Sequence, residues 1–308
     1  MDHRDKPGGD DGLWLSVTIA TLWGVRTGRR SEVPGEIFVR FSVLAVALTG
    51  VFALAAPTQA RDICTLIADA ATRTVLHQEG DCETRVTPAS TFKVALAVMA
   101  YDAGIITSAH EPKLPFKEGY ADWGGESWRR DTDPTIWMAN STVWYSQRLA
   151  EMLGAEKLTA YAQKFGYGNA DFSGDPGKNN GLERSWISSS LKISPLEQAG
   201  FVAALVDGKL PISAAVMTGT MDIVQQGGSS AGWVLQGKTG SAYPRQADGN
   251  LDRARGWGWY VGWAEKGDRR LVFVRLAQDE QRHQVSGGLR ARDKLVADWA
   301  GLVAGLGL

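Results

Sequence analysis

The stretch Pro88-Ala89-Ser90-Thr91-Phe92-Lys93 opens an apolar run that continues from Val94 to Met99. A helix that begins at Ser90 places Lys93 one turn further along the same face, where the two side chains can touch. A serine hydroxyl is a poor nucleophile unless an adjacent base accepts its proton. Lysine can be that base only after losing its charge, and the same spacing also suits a helix cap followed by a surface lysine. The interpretation therefore depends on partners elsewhere in the chain.

Composition and charge exclude several classes of function. The chain has 308 residues, of which 44% are hydrophobic and 22% charged, which is typical of a globular protein. A formal net charge of −1 does not favour nucleic acid or an acidic membrane surface as a partner. The histidines and the two cysteines show no metal-ligand spacing, so no metal is expected.

The N-terminal region has the pattern of an export signal. Arg40 precedes an apolar run from Phe41 to Ala56, and small residues stand where cleavage after Ala60 would require them. This pattern predicts a signal peptide over residues 37–60, although a retained membrane anchor is an alternative. Since such signals begin near the N-terminus, residues 1–36 are interpreted as a non-native or mis-annotated extension. We expect a mature periplasmic chain over residues 61–308.

Two short β-like runs follow the predicted cleavage site. Thr65 to Asp69 and Thr74 to His77 flank a turn, which predicts a hairpin. This hairpin would bring Cys64 and Cys82 together, and an oxidising compartment favours a disulfide between them. Two reduced, buried thiols are the alternative.

Strand-like runs lie at both ends of the mature chain, and helical patterns occupy the middle. Runs at residues 233–238, 256–263 and 270–276 read as strands, and Leu289 to Leu302 reads as a helix. We predict an α/β (α+β) domain. Its antiparallel sheet combines N- and C-terminal strands, flanked by helices, and residues 103–225 form a helical lobe. A site would form where the lobe meets the sheet, near Ser90.

Three further clusters follow Ser90 in order: Ser141-Thr142-Val143, Tyr167-Gly168-Asn169 and Lys238-Thr239-Gly240. Ser-x-x-Lys together with Lys-Thr-Gly is typical of penicillin-recognising serine enzymes, and Ser-Thr-Val in place of Ser-Asp-Asn excludes class A. With Trp186 before the last cluster, the chain resembles the class D (oxacillinase-type) serine β-lactamases from about Cys64 to Trp299. The resemblance implies the serine β-lactamase/penicillin-binding transpeptidase-like fold and hydrolysis of β-lactam antibiotics.

The resemblance also implies how the base works. Ser90 would be the nucleophile that forms an acyl-enzyme. Lys93 would be N-carboxylated by carbon dioxide or bicarbonate and would serve as the base for acylation and deacylation. Val143 would form part of an apolar wall, and the Trp186 indole N–H would donate to the carboxylated lysine. Ser141 would bridge Ser90 to the leaving nitrogen or to the lysine of the Lys-Thr-Gly motif.

The remaining residues would bind the substrate. Lys238 would supply positive charge and assist proton transfer, while Thr239 and Arg292 would bind the substrate carboxylate. Arg290 is the alternative to Arg292, because the C-terminal helix offers both.

The backbone N–H groups of Ser90 and Ser241 would form the oxyanion hole. Gly240 would let the substrate approach the backbone closely. Tyr167-Gly168-Asn169 is interpreted as a structural turn rather than a chemical group.

No resident cofactor is expected beyond carbon dioxide, and the expected partner is a small-molecule β-lactam. Nucleic acid is not expected, nor a membrane after signal cleavage, and the protein would be a monomer or a dimer. A penicillin-binding transpeptidase or carboxypeptidase normally carries Ser-x-Asn in the middle motif. A β-lactam sensor domain follows several membrane spans and a His-Glu-x-x-His motif. In this chain the middle motif is Ser141-Thr142-Val143. The sequence has one short apolar run and no His-Glu-x-x-His motif.

Overall fold

The computed structural model describes residues 60–308, so the predicted signal peptide before Ala60 and the preceding extension lie outside the described residues. A six-stranded sheet has the order β2-β1-β6-β5-β4-β3, with every neighbouring pair antiparallel. The strands are β1 Arg61–Asp69, β2 Val75–Gly80, β3 Gln226–Ser230, β4 Trp233–Ala242, β5 Trp257–Lys266 and β6 Arg269–Gln278. Because β1 pairs with β6, the N- and C-terminal strands share one sheet, which confirms the predicted fold class.

Seven of the described α-helices lie between β2 and β3, and the eighth follows β6. They are α1 Phe92–Asp102, α2 Pro134–Asn140, α3 Val143–Leu153, α4 Ala155–Phe165, α5 Gly181–Arg184, α6 Pro195–Val206, α7 Ala214–Ile223 and α8 Gly287–Gly305. None of the helices in residues 60–308 is long and apolar enough to cross a bilayer.

The sheet is buried on both faces. Along β5, Trp259 and Val261 belong to the core shared with α1 and α6, whereas Tyr260 and Ala264 belong to the core shared with α8. Side chains alternate between the faces of a strand, so one strand contributes to both cores. The run around Trp259 is therefore apolar almost throughout.

Helix α1 passes through the larger core and is buried from Phe92 to Ala100. An apolar sequence on every side of a helix is typical of a fully buried one. The α-helix begins two residues later than predicted, because Ser90 lies in a single 3₁₀ turn over Ala89–Thr91 that leads into it. Shifts of this size are common at helix ends.

The predicted hairpin forms from β1 and β2, and Cys64 and Cys82 are joined by a disulfide with a Cα–Cα distance of 5.1 Å. The alternative of two reduced thiols is wrong. Gly80 lies opposite Cys64 with φ +80°, and a Cβ there would lie 2.1 Å from the Ile63 carbonyl oxygen. The turn that brings Cys82 back to Cys64 thus requires glycine.

Candidate active site

Ser90 and Lys93 meet at the entry to α1, as their spacing predicted. The 3₁₀ turn orients the serine hydroxyl towards the helix, and Lys93 Nζ lies 3.2 Å from Ser90 Oγ. The Lys93 side chain is completely buried, with 0% of its surface exposed. The alternative of a surface lysine is therefore wrong.

The surroundings of Lys93 favour its neutral form. Burial lowers the pKa of Lys93 well below its usual value, and the positive charge of Lys238 lowers it further. Within residues 60–308, no carboxylate forms an ion pair with Lys93 that would restore its charge. A buried amine without a counter-ion loses its proton readily, which makes it both a base and a nucleophile.

Lys238 approaches from the sheet. Its position opposite Val261 on β5 directs it to the same face as the α1 core. Only 5% of the residue is exposed, and burial lowers the pKa of Lys238 to about 8. Its Nζ donates a hydrogen bond of 3.2 Å to the Thr239 carbonyl oxygen. Lys238 is thus largely protonated at neutral pH but can release its proton with little cost.

β4 is longer than predicted and contains the whole Lys-Thr-Gly motif. The sequence suggested that the strand ends at Lys238, but pairing with β5 continues to Ala242. Polar residues and a glycine interrupt the apolar alternation after Lys238, so the sequence pattern typical of a strand ends before the strand itself. The strand holds Thr239, Gly240 and Ser241 in an extended conformation beside Ser90.

A cavity of about 410 Å³ brings most of the predicted site residues together. Its lining includes these predicted residues: Ser90, Ser141, Val143, Lys238, Thr239, Gly240 and Ser241. Ser141 ends α2 in the left-handed conformation with φ 56°, and Val143 begins α3. The break between these two helices thus places a hydroxyl and an apolar side chain on the same wall.

Trp186 is completely buried next to helix α1. Its ring packs on Phe92 with 5.4 Å between centroids, and Phe92 precedes Lys93 in α1. Among the described residues, the indole Nε1–H of Trp186 has no hydrogen-bond partner. A buried donor without an acceptor costs about 1–3 kcal/mol, so an acceptor that bound at this indole would recover that free energy.

Tyr167-Gly168-Asn169 supports the segment that carries Trp186. Asn169 Oδ1 accepts from the Lys192 N–H at 2.9 Å, and Asn169 Nδ2 donates to the Ser190 carbonyl at 2.9 Å. Gly168 has φ +59°, and a Cβ there would lie 2.1 Å from the Lys192 carbonyl oxygen. These contacts favour the interpretation of this motif as a structural turn.

Gly240 has a packing role that the sequence did not indicate. A Cβ at Gly240 would lie 3.0 Å from the Pro88 carbonyl oxygen and 3.1 Å from the Thr91 nitrogen. The absent side chain thus lets β4 pack against the turn that holds Ser90. Next to it, Ser241 Oγ accepts a hydrogen bond of 2.9 Å from the N–H of Gly288 in α8.

Arg292 lies on the face of α8 that packs on β3 and β4. One turn earlier, Gly288 packs against Gly240, and one turn later Val296 packs against Gly228. Residues four apart share a helix face, so Arg292 lies between these two contacts.

Arg290 points elsewhere, to an ion pair with Asp279. Arg292 pairs with its neighbour Asp293, which is mostly exposed and therefore easily exchanged for another anion. Neither arginine is among the described residues that line the cavity, whereas Ser286 just before α8 is. The packing of α8 favours Arg292 over Arg290 as the arginine near Thr239.

An apolar rim around the cavity was not identified from sequence. Trp123, 61% exposed, and Leu289, 38% exposed, line its mouth together with Trp128 and Ile187. Large exposed apolar side chains often mark a binding surface. With 12 tryptophans in the chain, no sequence spacing singled out Trp123, which the fold brings to the same cavity as Ser90.

A larger cavity of about 630 Å³ lies behind the Trp186 segment. Its lining contains neither Ser90 nor Lys93, and its charged groups include Arg245 and Asp175, which pair with each other. Size alone therefore does not identify the reactive cavity. Within residues 60–308, no group of three or more His, Cys, Asp or Glu side chains is arranged to hold a metal ion.

Comparison with known proteins agrees with this geometry. Residues 63–299 match the family model of the penicillin binding protein transpeptidase domain. Beta-lactamase OXA-9 of Klebsiella pneumoniae is 41% identical over 235 residues, which cover 76% of this chain and 86% of the relative. Beta-lactamase OXA-1 of Escherichia coli is 33% identical over 256 residues, 82% of this chain and 89% of the relative. The crystal structure of OXA-427 class D β-lactamase is 44% identical with a TM-score of 0.73, covering 79% of this chain and 99% of that one.

Proposed function

The chain belongs to the class D β-lactamases and hydrolyses β-lactam antibiotics, and we propose that it does so through Ser90 with N-carboxylated Lys93 as the general base. The observation that carries this mechanism is the position of Lys93. It is fully buried, has no carboxylate partner among the described residues, and lies 3.2 Å from Ser90 Oγ.

The site fits carbon dioxide as the modifying group. The neutral Lys93 amine forms an N–C bond to carbon dioxide and loses one proton, which supplies an anionic base at the end of the side chain. The Trp186 Nε1–H, which has no partner within residues 60–308, is a donor suited to that anion, and Lys238 adds positive charge near Lys93. Val143 keeps one wall apolar, which limits the access of water.

In acylation, Lys93 accepts the hydroxyl proton as Ser90 Oγ bonds to the lactam carbonyl carbon. The C–N bond of the lactam then breaks, and its nitrogen must receive a proton. Ser141 and Lys238 both line the cavity, and Lys238, with a pKa of about 8, carries a proton that Ser141 can relay. Before deacylation, the proton on carboxylated Lys93 returns to Lys238 through Ser141. Lys93 then accepts a proton from water as the water oxygen attacks the ester carbon, and it gives that proton to Ser90 Oγ as the ester C–O bond breaks.

The remaining groups bind and polarise the substrate. Thr239 and Arg292 are assigned to the substrate carboxylate, because Thr239 lines the cavity and Arg292 lies on the adjoining face of α8. The N–H groups of Ser90 and Ser241 are assigned to the oxyanion hole, where two donors stabilise the developing negative charge. Gly240 keeps this strand close to the Ser90 turn.

The base is tested by following Lys93 directly. Protein equilibrated with ¹³C-bicarbonate should show a carbamate resonance that Lys93→Ala lacks, and bicarbonate should raise the turnover of a chromogenic cephalosporin. Absence of both effects in the wild type would exclude the carboxylated base. A stable acyl-enzyme without turnover would instead indicate a sensor domain or a transpeptidase.

We also propose that residues 37–60 are removed as a signal peptide and that residues 61–308 act as a single periplasmic domain with a helical lobe over about 103–225. The Cys64–Cys82 disulfide supports an oxidising compartment. N-terminal sequencing of the exported protein should find a terminus near Arg61, and finding Asp2 or its neighbours there would exclude this maturation. The proposed partner is a small-molecule β-lactam. The protein is proposed to be a monomer or a dimer, which size-exclusion chromatography would distinguish.

A further inference from the structure

We propose that Thr87 and Ser188 are positioning residues that hold the Trp186 indole at the orientation required by carboxylated Lys93. This inference rests on the proposed carboxylated base. The two residues, here called the Thr87–Ser188 clasp, join the segment that carries Trp186 to the turn before Ser90 and to the chain that leaves β4.

The Thr87 hydroxyl binds the backbone directly after the Trp186 side chain. Thr87 Oγ1 donates to the Trp186 carbonyl oxygen at 2.9 Å and accepts from the Ser188 N–H at 3.1 Å. It thus uses its donor and an acceptor site on two backbone groups on either side of Ile187, directly after Trp186. Only 7% of Thr87 is exposed, so water does not readily replace either bond.

A hydrogen bond from the sheet also fixes the backbone of Thr87. It lies three residues before Ser90, and its carbonyl oxygen accepts a hydrogen bond of 2.9 Å from the indole N–H of Trp259 on β5. A chain of bonds therefore runs from the sheet through Thr87 to Trp186. Thr87 therefore connects the sheet to both the turn that holds Ser90 and the segment that carries Trp186.

Ser188 forms the second half of the clasp. Its hydroxyl accepts from the Tyr243 N–H at 3.0 Å, and its carbonyl accepts from Arg245 Nε at 3.0 Å. Tyr243 comes two residues after Ser241, the proposed oxyanion donor. Ser188 also has φ 57°, a conformation that costs a non-glycine residue about 1 kcal/mol. The surrounding bonds impose this conformation on it.

The clasp matters because the indole lacks a polar anchor of its own. Among the described residues no acceptor meets Trp186 Nε1, and packing on Phe92 restrains the plane of the ring rather than the direction of its N–H. Hydrogen bonds weaken steeply as the angle and distance depart from their optimum. Fixing the backbone directly after Trp186 therefore helps to set how well the N–H can meet an anion on Lys93.

Thr87→Val keeps the shape of the side chain but removes both hydrogen bonds to the Trp186 segment. We expect the bicarbonate concentration for half-maximal activity to rise roughly tenfold, which corresponds to about 1.4 kcal/mol. Thr87→Ser, which keeps the hydroxyl, should restore the wild-type value. KM at saturating bicarbonate should change little, since Thr87 does not line the Ser90 cavity.

Thr132→Val is the matched control for lost stability. Thr132 is also buried, and its hydroxyl donates a hydrogen bond of 3.0 Å to the Arg130 carbonyl in the loop before α2. This variant should lower Tm without changing the bicarbonate requirement. Ser188→Ala removes only the bond from Tyr243 and should raise the requirement by a smaller factor. It carries the test if Thr87→Val does not fold.

The ¹³C carbamate signal separates the possible results. If the wild type shows no carbamate and no bicarbonate response, the proposed base is excluded and the clasp with it. If the wild type shows both, and Thr87→Val and Ser188→Ala keep wild-type carbamate occupancy at low bicarbonate, the clasp alone is refuted. The clasp is supported if carbamate occupancy at low bicarbonate falls in Thr87→Val and Ser188→Ala but stays at the wild-type level in Thr87→Ser and Thr132→Val.

Discussion

Replacing Lys238 with methionine should stabilise the folded protein while it removes a group that the proposed reaction needs. The side chain is 5% exposed, and burial lowers its pKa from 10.5 to about 8. That interval corresponds to about 3 kcal/mol of free energy that opposes folding whenever the lysine is charged. Methionine has a similar length and no charge, and buried charges replaced by apolar groups often leave a protein more stable.

One contribution acts in the opposite direction. Lys238→Met removes the hydrogen bond from Nζ to the Thr239 carbonyl, and a bond of this kind stabilises by about 1 kcal/mol. The net gain expected at neutral pH is therefore about 2 kcal/mol. In a domain of this size that gain corresponds to a rise in Tm of about 4–8 °C.

The pH dependence distinguishes this cause from improved packing. The pKa of Lys238 is lower in the folded state than in the unfolded chain, so the penalty is fully present below pH 8. As the pH rises from about 8 to 10.5, the unfolded chain still binds the proton while the folded state does not, and wild-type stability increases. The advantage of Lys238→Met should therefore disappear towards pH 10.5.

Urea unfolding in carbon dioxide-free buffer, at about pH 6.5 and about pH 10, measures the effect. The exposed Lys209→Met is the matched control and should change the free energy of unfolding little at either pH. A gain for Lys238→Met that is equal at both values, or a loss at the lower one, would refute the reasoning from burial.

Other predictions concern the disulfide, the indole and the arginines. The double variant Cys64→Ala, Cys82→Ala should have a free energy of unfolding about 3 kcal/mol lower than the wild type, measured in urea, because the disulfide closes a loop with a sequence separation of 18. Equal stability of the wild type with and without reductant would contradict this prediction. Trp186→Phe should slow deacylation roughly 10- to 100-fold, and acylation less, since a hydrogen bond to a charged group contributes about 1.5–3 kcal/mol. Pre-steady-state kinetics separates the two steps, and equal losses would remove the indole from its proposed role. Arg292→Ala should raise KM for a penicillin, whereas Arg290→Ala should mainly lower Tm by breaking its ion pair; steady-state assays and thermal unfolding would show the reverse pattern if Arg290 bound the carboxylate.

Several elements could be predicted because their signals are local. Helix α6 begins at Pro195 after Ser194, whose hydroxyl accepts from the Glu197 N–H in a capping box, and these residues are adjacent in sequence. The hairpin of β1 and β2 follows from two short β-like runs about a turn. In contrast, β3 was missed, because Gln226–Ser230 has no apolar alternation. It is a strand only because the edge of β4 pairs with it.

The sequence by itself determined the order of the motifs, the residue types and therefore the family. Local spacing also placed Lys93 one turn after Ser90. Only the tertiary structure decided that, within residues 60–308, Lys93 is buried without a carboxylate partner, the Trp186 indole N–H has no acceptor, and Thr87 hydrogen-bonds the backbone at Trp186 and Ser188. The reason is physical: a pKa and the pairing of a buried donor depend on groups that segments distant in sequence bring together.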